Sequence, residues 1–313
     1  EMLLETGEKP VLFPVGAKTL LYLSGEAARE RFKKVARFFI PSEVQLSLLN
    51  DKTEVARLGA HCGIPIPLEY MPPYENIVYP CVVKPAFGER FGLTAAKRYR
   101  IARNQKQLQE YIDFYKGITG ETPLVQQYLD GTGAGCSVLC KDGDIHAALC
   151  HKRIREYPVS GGPSTCCRAF HSDELVDYAA RLVKEVGYNG IAMIEFKYDA
   201  EGRAHLLEVN PRIWGTFPLT RVGRSSMIEH WLQLALGVSE PPIRTGEYRE
   251  RKMVYAVSDL VAGIGYAKKG KLGKFFGAIL DCLNPFVRDG LWEWRDIKPG
   301  IVYIKSLRNR RKK

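Results

Sequence analysis

The chain of 313 residues is 45% hydrophobic and carries a formal net charge of +11, with enough apolar content for a sizeable core and two or three packed lobes. Its eight cysteines lack C-x-x-C spacing, which argues against a zinc site or a disulfide framework and indicates a reducing compartment. Because no apolar run reaches membrane-spanning length and no secretory signal opens the chain, we expect a cytoplasmic protein.

The excess positive charge lies in the C-terminal region. Pro241 to Lys313 hold 17 Lys/Arg against 7 Asp/Glu, which leaves the first 240 residues at about +1. A basic chain invites a nucleic-acid interpretation, but charge confined to one end predicts only a basic extension, and we expect no nucleic-acid partner. Within it, the Lys-rich amphipathic segment Gly263–Pro285 can lie on an anionic membrane at the inner face. The same pattern fits a solvated helix packed on the body, which we favour.

The first 49 residues read as a small α/β lobe. Strand-like pieces at Val11–Val15 and Arg37–Ile40 flank a helical piece at Ala27–Lys34. Because the chain begins with Glu1 rather than methionine, we expect this segment to be the trailing part of a lobe.

A capped helix follows at Asp51. Asp51 precedes Lys52, and Glu54 stands three positions after the cap, which is the spacing of a capping box. Gly63 ends the helix, and the prolines that follow it force an extended exit. On its own, Lys52 is most simply a solvated lysine in the first helical turn.

Cys81–Lys84 is an apolar stretch that ends in a lysine. A lysine at the end of a buried strand is costly unless it meets an anion, so Lys84 is a candidate anion ligand. The alternative is a lysine that extends to solvent. The loop 86–92 contains only two glycines, and we assign no function to its residues. We predict a strand at Ala95–Ala102, a purely structural helix capped by Asn104, and a helix at Asp173–Val186 capped by Ser172.

A second basic site is predicted on a β-hairpin. Strands Gly135–Lys141 and Ile145–Ile154 are joined around Asp142-Gly143, a strong turn signal. The second strand leads into a basic cluster beside a glycine turn, a pattern typical of an anion site. We predict that Lys152 or Arg155 contacts substrate, and the alternative is a solvated basic edge. Strand alternation places these two side chains on opposite faces.

A hairpin near residue 200 carries two facing acids. Its strands are Ile191–Tyr198 and Ala204–Asn210, and an even loop centred on Glu201-Gly202 would pair position i with position 403 − i. Glu195 then lies opposite Glu208, with Asn210 on the same face. Neighbours predicted on that face are apolar: Ile191, Met193 and Leu206.

Two carboxylates that face each other repel, and a divalent cation removes the conflict. Two carboxylates and an amide offer oxygen ligands that suit Mg²⁺, with positions left for phosphate oxygens. Arg212, after Pro211, could clamp the same phosphates. The alternative is a hairpin with a solvated acidic face.

Five motifs occur in order between Asp51 and Gly237: D-K…G-I-P-x-P, V-V-K-P, Q-Q-Y-L, the basic strand and E-x₁₂-E-x-N-P-R. Together they resemble the ATP-grasp superfamily, which includes carboxylate–amine ligases, biotin carboxylase and carbamoyl-phosphate synthetase. The resemblance implies an α+β ATP-grasp fold with two α+β lobes clasping nucleotide, preceded by the partial α/β lobe.

The resemblance also implies roles for the motif residues. Lys52 and Lys84 would bind the nucleotide phosphates, Arg212 would act beside Lys152 or Arg155 in catalysis, and Asp130 is the available ribose ligand. Two features depart from the family pattern: glutamate commonly stands where this chain has glutamine in the adenine hinge, and the flap after Lys84 is poor in glycine. The hinge, which pairs through its backbone, comprises Gln126, Gln127, Tyr128 and Leu129. The ligands of Mg²⁺ or Mn²⁺ would be Glu195, Glu208 and Asn210.

The predicted division is a partial lobe at 1–49, an ATP-grasp domain at 50–240 (small lobe about 84–130, large lobe about 131–240) and a basic extension at 241–313. The resemblance implies an ATP-dependent ligase that activates a carboxylate as an acyl phosphate and joins it to an amine. Two alternatives stay open: a carboxylase or carbamoyl-phosphate-type enzyme using bicarbonate, and a basic binding module with a decayed ATP site. The expected partners are small-molecule carboxylates and amines. The sequence leaves the oligomeric state open, with a homodimer among the options.

Overall fold

The computed structural model describes residues 9–86, 93, 97–159, 161–238, 241, 247–293 and 295–310. The chain divides into two compact units. Unit 1 comprises Glu1–His151, His171–Trp214 and Ser225–Glu247, and unit 2 comprises Lys152–Phe170, Gly215–Arg224 and Tyr248–Lys313. These boundaries cut across the three segments predicted from the sequence, which remain a prediction.

Helices and strands are both well represented, which confirms the α+β class. The helices are α1 (Ala17–Ser24), α2 (Glu26–Lys33), α3 (Glu43–Asn50), α4 (Lys52–His61), α5 (Gln105–Thr119), α6 (Asp173–Val186), α7 (Leu219–Val222), α8 (Met227–Leu236), α9 (Ala256–Lys268), α10 (Leu272–Leu283) and α11 (Lys298–Arg310). The strands are β1 (Cys81–Lys84), β2 (Arg100–Ala102), β3 (Leu124–Gln127), β4 (Gly133–Lys141), β5 (Asp144–Glu156), β6 (Ser164–Ala169), β7 (Gly190–Tyr198), β8 (Ala204–Asn210), β9 (Lys252–Val254) and β10 (Arg288–Asp289).

Three of these helices begin at the predicted caps. Asp51 Oδ1 accepts the backbone N–H of Thr53 at 2.8 Å, which fixes the first turn of α4. The same capping geometry starts α5 at Asn104 and α6 at Ser172. Because Lys52 is the first residue of α4, this cap also determines where its side chain starts.

The smaller sheet of unit 1 is antiparallel, in the order β2-β1-β3. Val83 pairs with Arg100 on one side and with Val125 on the other, while Lys84 pairs with Leu124. Helix α5 buries its apolar stripe in the same core as Val83. The strand bearing Lys84 is therefore the central strand of this sheet. That central position is what allows its apolar side chains to be buried.

The other strands of unit 1 follow the order β5-β4-β7-β8. The turn between β4 and β5 has positive φ at both Asp142 (50°) and Gly143 (79°), as a tight two-residue hairpin loop requires. Strand β7 pairs with β4 along its length and with β8 on its other edge. This arrangement places β7 of the predicted acidic hairpin inside the sheet and β8 at its edge.

The strands of unit 2 follow the order β10-β9-β6-β5. Of β5, only the residues from Lys152 onward belong to this unit. Strands β6 and β9 are antiparallel, with Cys167 opposite Met253. Helices α9 and α10 pack against each other, and a Cβ built at Gly263 would lie 3.1 Å from the Cβ of Ala278. This small-residue contact allows close approach of the two helices.

Two predicted strands are much shorter in the structure. Val11–Val15 and Arg37–Ile40 are reduced to a single parallel bridge between Val11 and Arg37, and the rest of this region is helical or irregular. Prolines at positions 10, 14 and 41 lack the N–H group that a longer ladder needs. The strand predicted at Ala95–Ala102 is observed only over Arg100–Ala102, as β2. Residues 94–96 lie outside the described residues, as do residues 87–92 of the predicted flap.

Candidate active site

The acidic hairpin has the predicted pairing. Glu195 lies opposite Glu208, and Met193 lies opposite Asn210. The premise of an even loop is wrong, however, because Tyr198 pairs with Ala204 and a register shift follows between Glu195 and Phe196. The odd loop shifts the pairing register by one residue, and the β-bulge shifts it back. Glu195 and Glu208 therefore face each other despite the odd loop.

The odd loop is explained by Asp199. Its carboxylate accepts the backbone N–H of Arg203 at 2.8 Å and also contacts Nε of Arg203 and Nε2 of His205, both at 2.9 Å. Burial of Asp199 opposes its ionisation, but these hydrogen bonds prevail and hold the pKa of its carboxyl well below the usual range. The side chain of Asp199 therefore organises the turn.

The bulge also corrects the predicted position of Leu206. This residue pairs with Phe196 and is buried, so it does not share the face of Glu208. Its backbone N–H donates to Pro65 O at 2.8 Å, and a Cβ at Gly59 would lie 2.7 Å from its Cδ2. Helix α4 thus packs closely on β8, which places its first residue, Lys52, near the bulge.

Each acid of the pair has a polar partner. Lys52 Nζ lies 2.9 Å from Glu208 Oε2. Asn210 Nδ2 donates to Glu195 Oε1 at 3.1 Å. The side chains of Lys52 and Glu208 are 19% and 28% exposed, so their ion pair is partly shielded from solvent. The structure therefore joins four of the predicted site residues in two contacts, Lys52 with Glu208 and Asn210 with Glu195.

Lys84 adds a second lysine to this region. Burial lowers the pKa of Lys84 to about 8, and the positive charge of Lys52 acts in the same direction. The negative charges of Glu208, Glu69 and Glu195 act in the opposite direction. Glu69 was missed by the sequence analysis because an isolated glutamate after G-I-P-x-P carries no motif. It bridges to Gln126 of β3.

The acid pair fits a divalent cation. Among the described residues, no group of three or more His, Cys, Asp or Glu side chains gathers as a metal site. Two carboxylates and the Asn210 amide are nonetheless an oxygen donor set suited to Mg²⁺ or Mn²⁺. The ammonium of Lys52 offsets the negative charge of Glu208, and the amide of Asn210 donates a hydrogen bond to Glu195.

Arg212 follows the hairpin at the exit from β8. It is half-buried, and its Nη1 donates to Ile213 O at 2.9 Å. Trp214, two residues later, is buried. The backbone contact holds the guanidinium close to the end of β8, and its role stays a prediction.

The predicted hinge divides into two pairs of residues. Gln126 and Gln127 lie inside the ladder with β1, and the N–H of Gln127 also donates to Leu68 O at 2.8 Å. Strand β3 ends at Gln127, so Tyr128 and Leu129 leave the ladder. Asp130 is exposed, and its Oδ1 accepts Tyr128 Oη at 3.5 Å. Backbone pairing with a base is therefore easier at Tyr128 and Leu129 than at the two glutamines.

The prediction that Arg155 contacts substrate is corrected by its surroundings. Its side chain is 3% exposed, and its Nη2 lies 2.7 Å from Asp259 Oδ2 and 2.6 Å from Asp281 Oδ2. Lys252 Nζ lies 2.7 Å from the other oxygen of Asp281. Burial alone would lower the pKa of Arg155, but the two carboxylates raise it above its usual range. Arg155 is therefore the centre of a buried ion cluster within unit 2.

Lys152 has a different environment. Its side chain is exposed, and its Nζ lies 4.4 Å from the centre of the Phe170 ring, a cation–π contact. The neighbouring Arg153 donates to Gly162 O at 3.5 Å. Of the two basic residues predicted to meet substrate, only Lys152 is accessible.

Comparisons with known proteins show what this chain is similar to. A family model described as "ATP-grasp in the biosynthetic pathway with Ter operon" matches residues 119–258. The chain is 24% identical over 246 residues to a carbamoyl phosphate synthase large chain from Thermomicrobium roseum, covering 74% of this chain and 22% of that protein. The chain thus spans about a fifth of the length of this curated relative.

Solved structures show the same likeness of fold. A biotin carboxylase from Campylobacter jejuni superposes with a TM-score of 0.63 at 17% identity, covering 79% of this chain and 58% of that one. The biotin carboxylase domain of the 2-oxoglutarate carboxylase from Hydrogenobacter thermophilus, solved with MgADP, ADP and bicarbonate, superposes with a TM-score of 0.60 at 18% identity. That match covers 80% of this chain and 58% of the other.

Proposed function

Because this chain has the ATP-grasp fold, we propose that it is an ATP-dependent ligase that converts a substrate carboxylate to an acyl phosphate and joins it to an amine. The observation that carries the proposal is the Glu195–Glu208 pair, which faces across the bulged hairpin and is contacted by Lys52 and Asn210. Burial lowers the pKa of Lys84, and the charges of both acids oppose that shift. Two partly buried acids that face each other destabilise the fold, so we do not expect a site that has lost nucleotide binding to retain them.

The metal ligands would be Glu195, Glu208 and Asn210. When bound there, Mg²⁺ or Mn²⁺ would offset the negative charge of the transferring phosphoryl group. Lys52 contacts Glu208 at 2.9 Å, and this contact sets the charge balance of the site before nucleotide binds. We propose that Lys52 exchanges this carboxylate for a phosphate oxygen.

Lys84 is proposed to hold the nucleotide phosphates. Its ammonium is buried at the end of a central strand, where a fixed positive charge interacts with an anion more strongly than it would in water. A carboxylate oxygen of the substrate attacks the γ-phosphorus, and the bond from that phosphorus to the leaving ADP oxygen breaks. An amine then attacks the acyl carbon, loses a proton, and phosphate leaves. Positioning and charge compensation are all that these steps require of the chain.

Further contacts complete the proposal. We assign the adenine edge to the backbone of Tyr128 and Leu129, beside Gln126 and Gln127, and the ribose to Asp130. Arg212 is assigned to the phosphates, and Lys152 is kept as a candidate for substrate binding. Arg155 is excluded because its guanidinium is engaged by buried carboxylates.

One alternative is favoured by the relatives. Carbamoyl phosphate synthase and biotin carboxylase are the names of matched proteins, and two matched structures contain bicarbonate. An ATP-dependent carboxylase or carbamoyl-phosphate-type enzyme is therefore the second candidate. The acid pair serves either reaction, because both begin with MgATP and a carboxylate or bicarbonate oxygen.

Substrate-dependent ADP release distinguishes these candidates. Purified protein is incubated with MgATP and with panels of carboxylates and amines, each alone and in pairs, and ADP is measured. Stimulation that needs both partners supports the ligase, and stimulation by bicarbonate alone supports the carboxylase. Neither proposal survives if the protein fails to bind MgATP or MgADP.

The lowered pKa of Lys84 predicts pH-dependent nucleotide binding. Below a pH of about 8 the free protein already carries the charge, whereas above it a bound phosphate must recruit a proton. The Kd for MgADP should therefore be flat below that pH and rise by up to about tenfold per pH unit above it. Isothermal titration calorimetry between about pH 6 and 10 measures this dependence.

The matched control is Lys84→Arg, because a guanidinium keeps its proton across this range. This variant should lose the pH dependence even if its affinity is weaker. A wild-type Kd that does not change with pH up to about 9.5 would remove Lys84 from phosphate binding.

A further inference from the structure

Helices α9 and α10 present apolar side chains to solvent. On α10, Leu272, Phe276, Leu280 and Leu283 recur at helical spacing and are 55%, 56%, 66% and 76% exposed. On α9, Leu260, Val261 and Ile264 are 41%, 41% and 51% exposed. We call these seven residues the hairpin face. Scattered exposed apolar residues are ordinary, but stripes on two packed helices are not.

Buried charges determine which side of each helix faces outward. Asp259 of α9 is fully buried against Arg155, and Asp281 of α10 is buried between Arg155 and Lys252. Both helices therefore carry acidic residues inward and leucines outward, the inverse of an ordinary surface helix. Rotating either helix to bury its apolar stripe would break the ion cluster and expose buried carboxylates, so the fold itself keeps the hairpin face outward.

Positive charge borders the hairpin face. Lys268, Lys269 and Lys271 are exposed at the connection between the two helices. Lys274 is exposed as well, and its Nζ donates to Ile154 O at 2.6 Å. Between positions 268 and 288 the sequence has five basic residues and one acid, Asp281, which points into the ion cluster. The charge presented to solvent by this segment is therefore positive throughout.

We propose that the hairpin face binds the surface of an anionic phospholipid bilayer. Its apolar side chains would enter the interfacial region, while the lysines would meet lipid phosphates. Among the described residues, no helix is long and apolar enough to span a membrane. The proposed contact is that of a helix pair lying on the surface. A second copy is a poorer occupant because two lysine-bordered faces would repel each other. This inference does not depend on the proposed ligase activity.

Vesicle flotation tests the proposal with the full chain. Vesicles of phosphatidylglycerol and phosphatidylcholine in roughly a 1:3 ratio should bind the protein, whereas vesicles of phosphatidylcholine alone should bind it about tenfold more weakly. The double variant Phe276→Ser/Leu280→Ser should lose binding about tenfold or more, because two exposed apolar anchors are removed. Raising the salt from about 0.1 M to 0.5 M should weaken wild-type binding.

The control variant is Val44→Ser on α3, where the valine is 77% exposed but lies outside the hairpin face. It should bind vesicles like the wild type. A triple Lys268→Gln/Lys269→Gln/Lys271→Gln variant tests the charge separately, and its binding should lose the preference for anionic lipid. All variants should keep the wild-type melting temperature, because the changed side chains are exposed.

Three results would overturn the proposal. The first is equal binding of the wild type to both vesicle types, and the second is undiminished binding of the Phe276→Ser/Leu280→Ser variant. The third is a wild type that does not bind vesicles but forms a dimer without lipid, detected by light scattering, when the Phe276→Ser/Leu280→Ser variant is monomeric. That outcome would assign the hairpin face to a second copy.

Discussion

Replacing Glu208 with glutamine is expected to lower ADP formation by about 10²–10³-fold while leaving the fold intact. The substitution keeps the shape of the side chain but removes the negative charge that faces Glu195 and that contacts Lys52 at 2.9 Å. Without that charge the oxygen pair no longer suits Mg²⁺, and Lys52 loses its partner. Initial rates of ADP release at saturating MgATP measure the effect.

Glu201→Gln is the matched control on the same hairpin. Glu201 lies in the turn, its side chain is 67% exposed, and its nearest ion-pair partner, Arg203, is 3.7 Å away. The control changes the net charge by the same amount and should keep the wild-type rate. If Glu208→Gln turned over as fast as Glu201→Gln, Glu208 would have no place in the mechanism.

Replacing Arg155 with alanine should destabilise the protein strongly, by about 3–5 kcal/mol in the free energy of unfolding. Arg155 is the shared partner of two buried carboxylates, on Asp259 and Asp281. Removing it leaves these acids with Lys252 on one and the hydroxyl of Thr165 on the other. Urea denaturation, with hydrogen exchange of peptides covering β6 and α9, measures the loss.

Arg168→Ala on the neighbouring strand controls for the loss of an arginine. The Arg168–Glu250 pair is 3.6 Å apart and both side chains are about half exposed, so its removal should cost less than about 1 kcal/mol. Equal stability of the two variants would mean that Arg155 does not hold unit 2 together and would reopen its assignment to substrate.

Local patterns predicted the fold around the site well. The caps at Asp51, Asn104 and Ser172 and the turn at Asp142-Gly143 depend on hydrogen bonds within a few residues, which spacing alone reveals. The facing of Glu195 and Glu208 was also predicted, but for an incomplete reason. An odd loop held by Asp199 and a bulge near Glu208 compensate, and neither has a sequence signal of its own.

Long-range partners account for what the sequence analysis missed. Arg155 was assigned to substrate from its local basic cluster, whereas its partners Asp259 and Asp281 lie 104 and 126 positions later in the chain. The same acids explain the hairpin face. A Lys-rich amphipathic segment was expected to pack its apolar side on the body, but the ion cluster takes the inward side instead.

The most direct test of the account is metal binding at the acid pair. Mn²⁺ titrated into the protein with ADP, followed by electron paramagnetic resonance of the free ion, should reveal tight nucleotide-dependent binding in the wild type and in Glu201→Gln. The double variant Glu195→Gln/Glu208→Gln should lose that binding by about 100-fold or more. Unchanged Mn²⁺ binding in the double variant would show that the metal and nucleotide are held elsewhere.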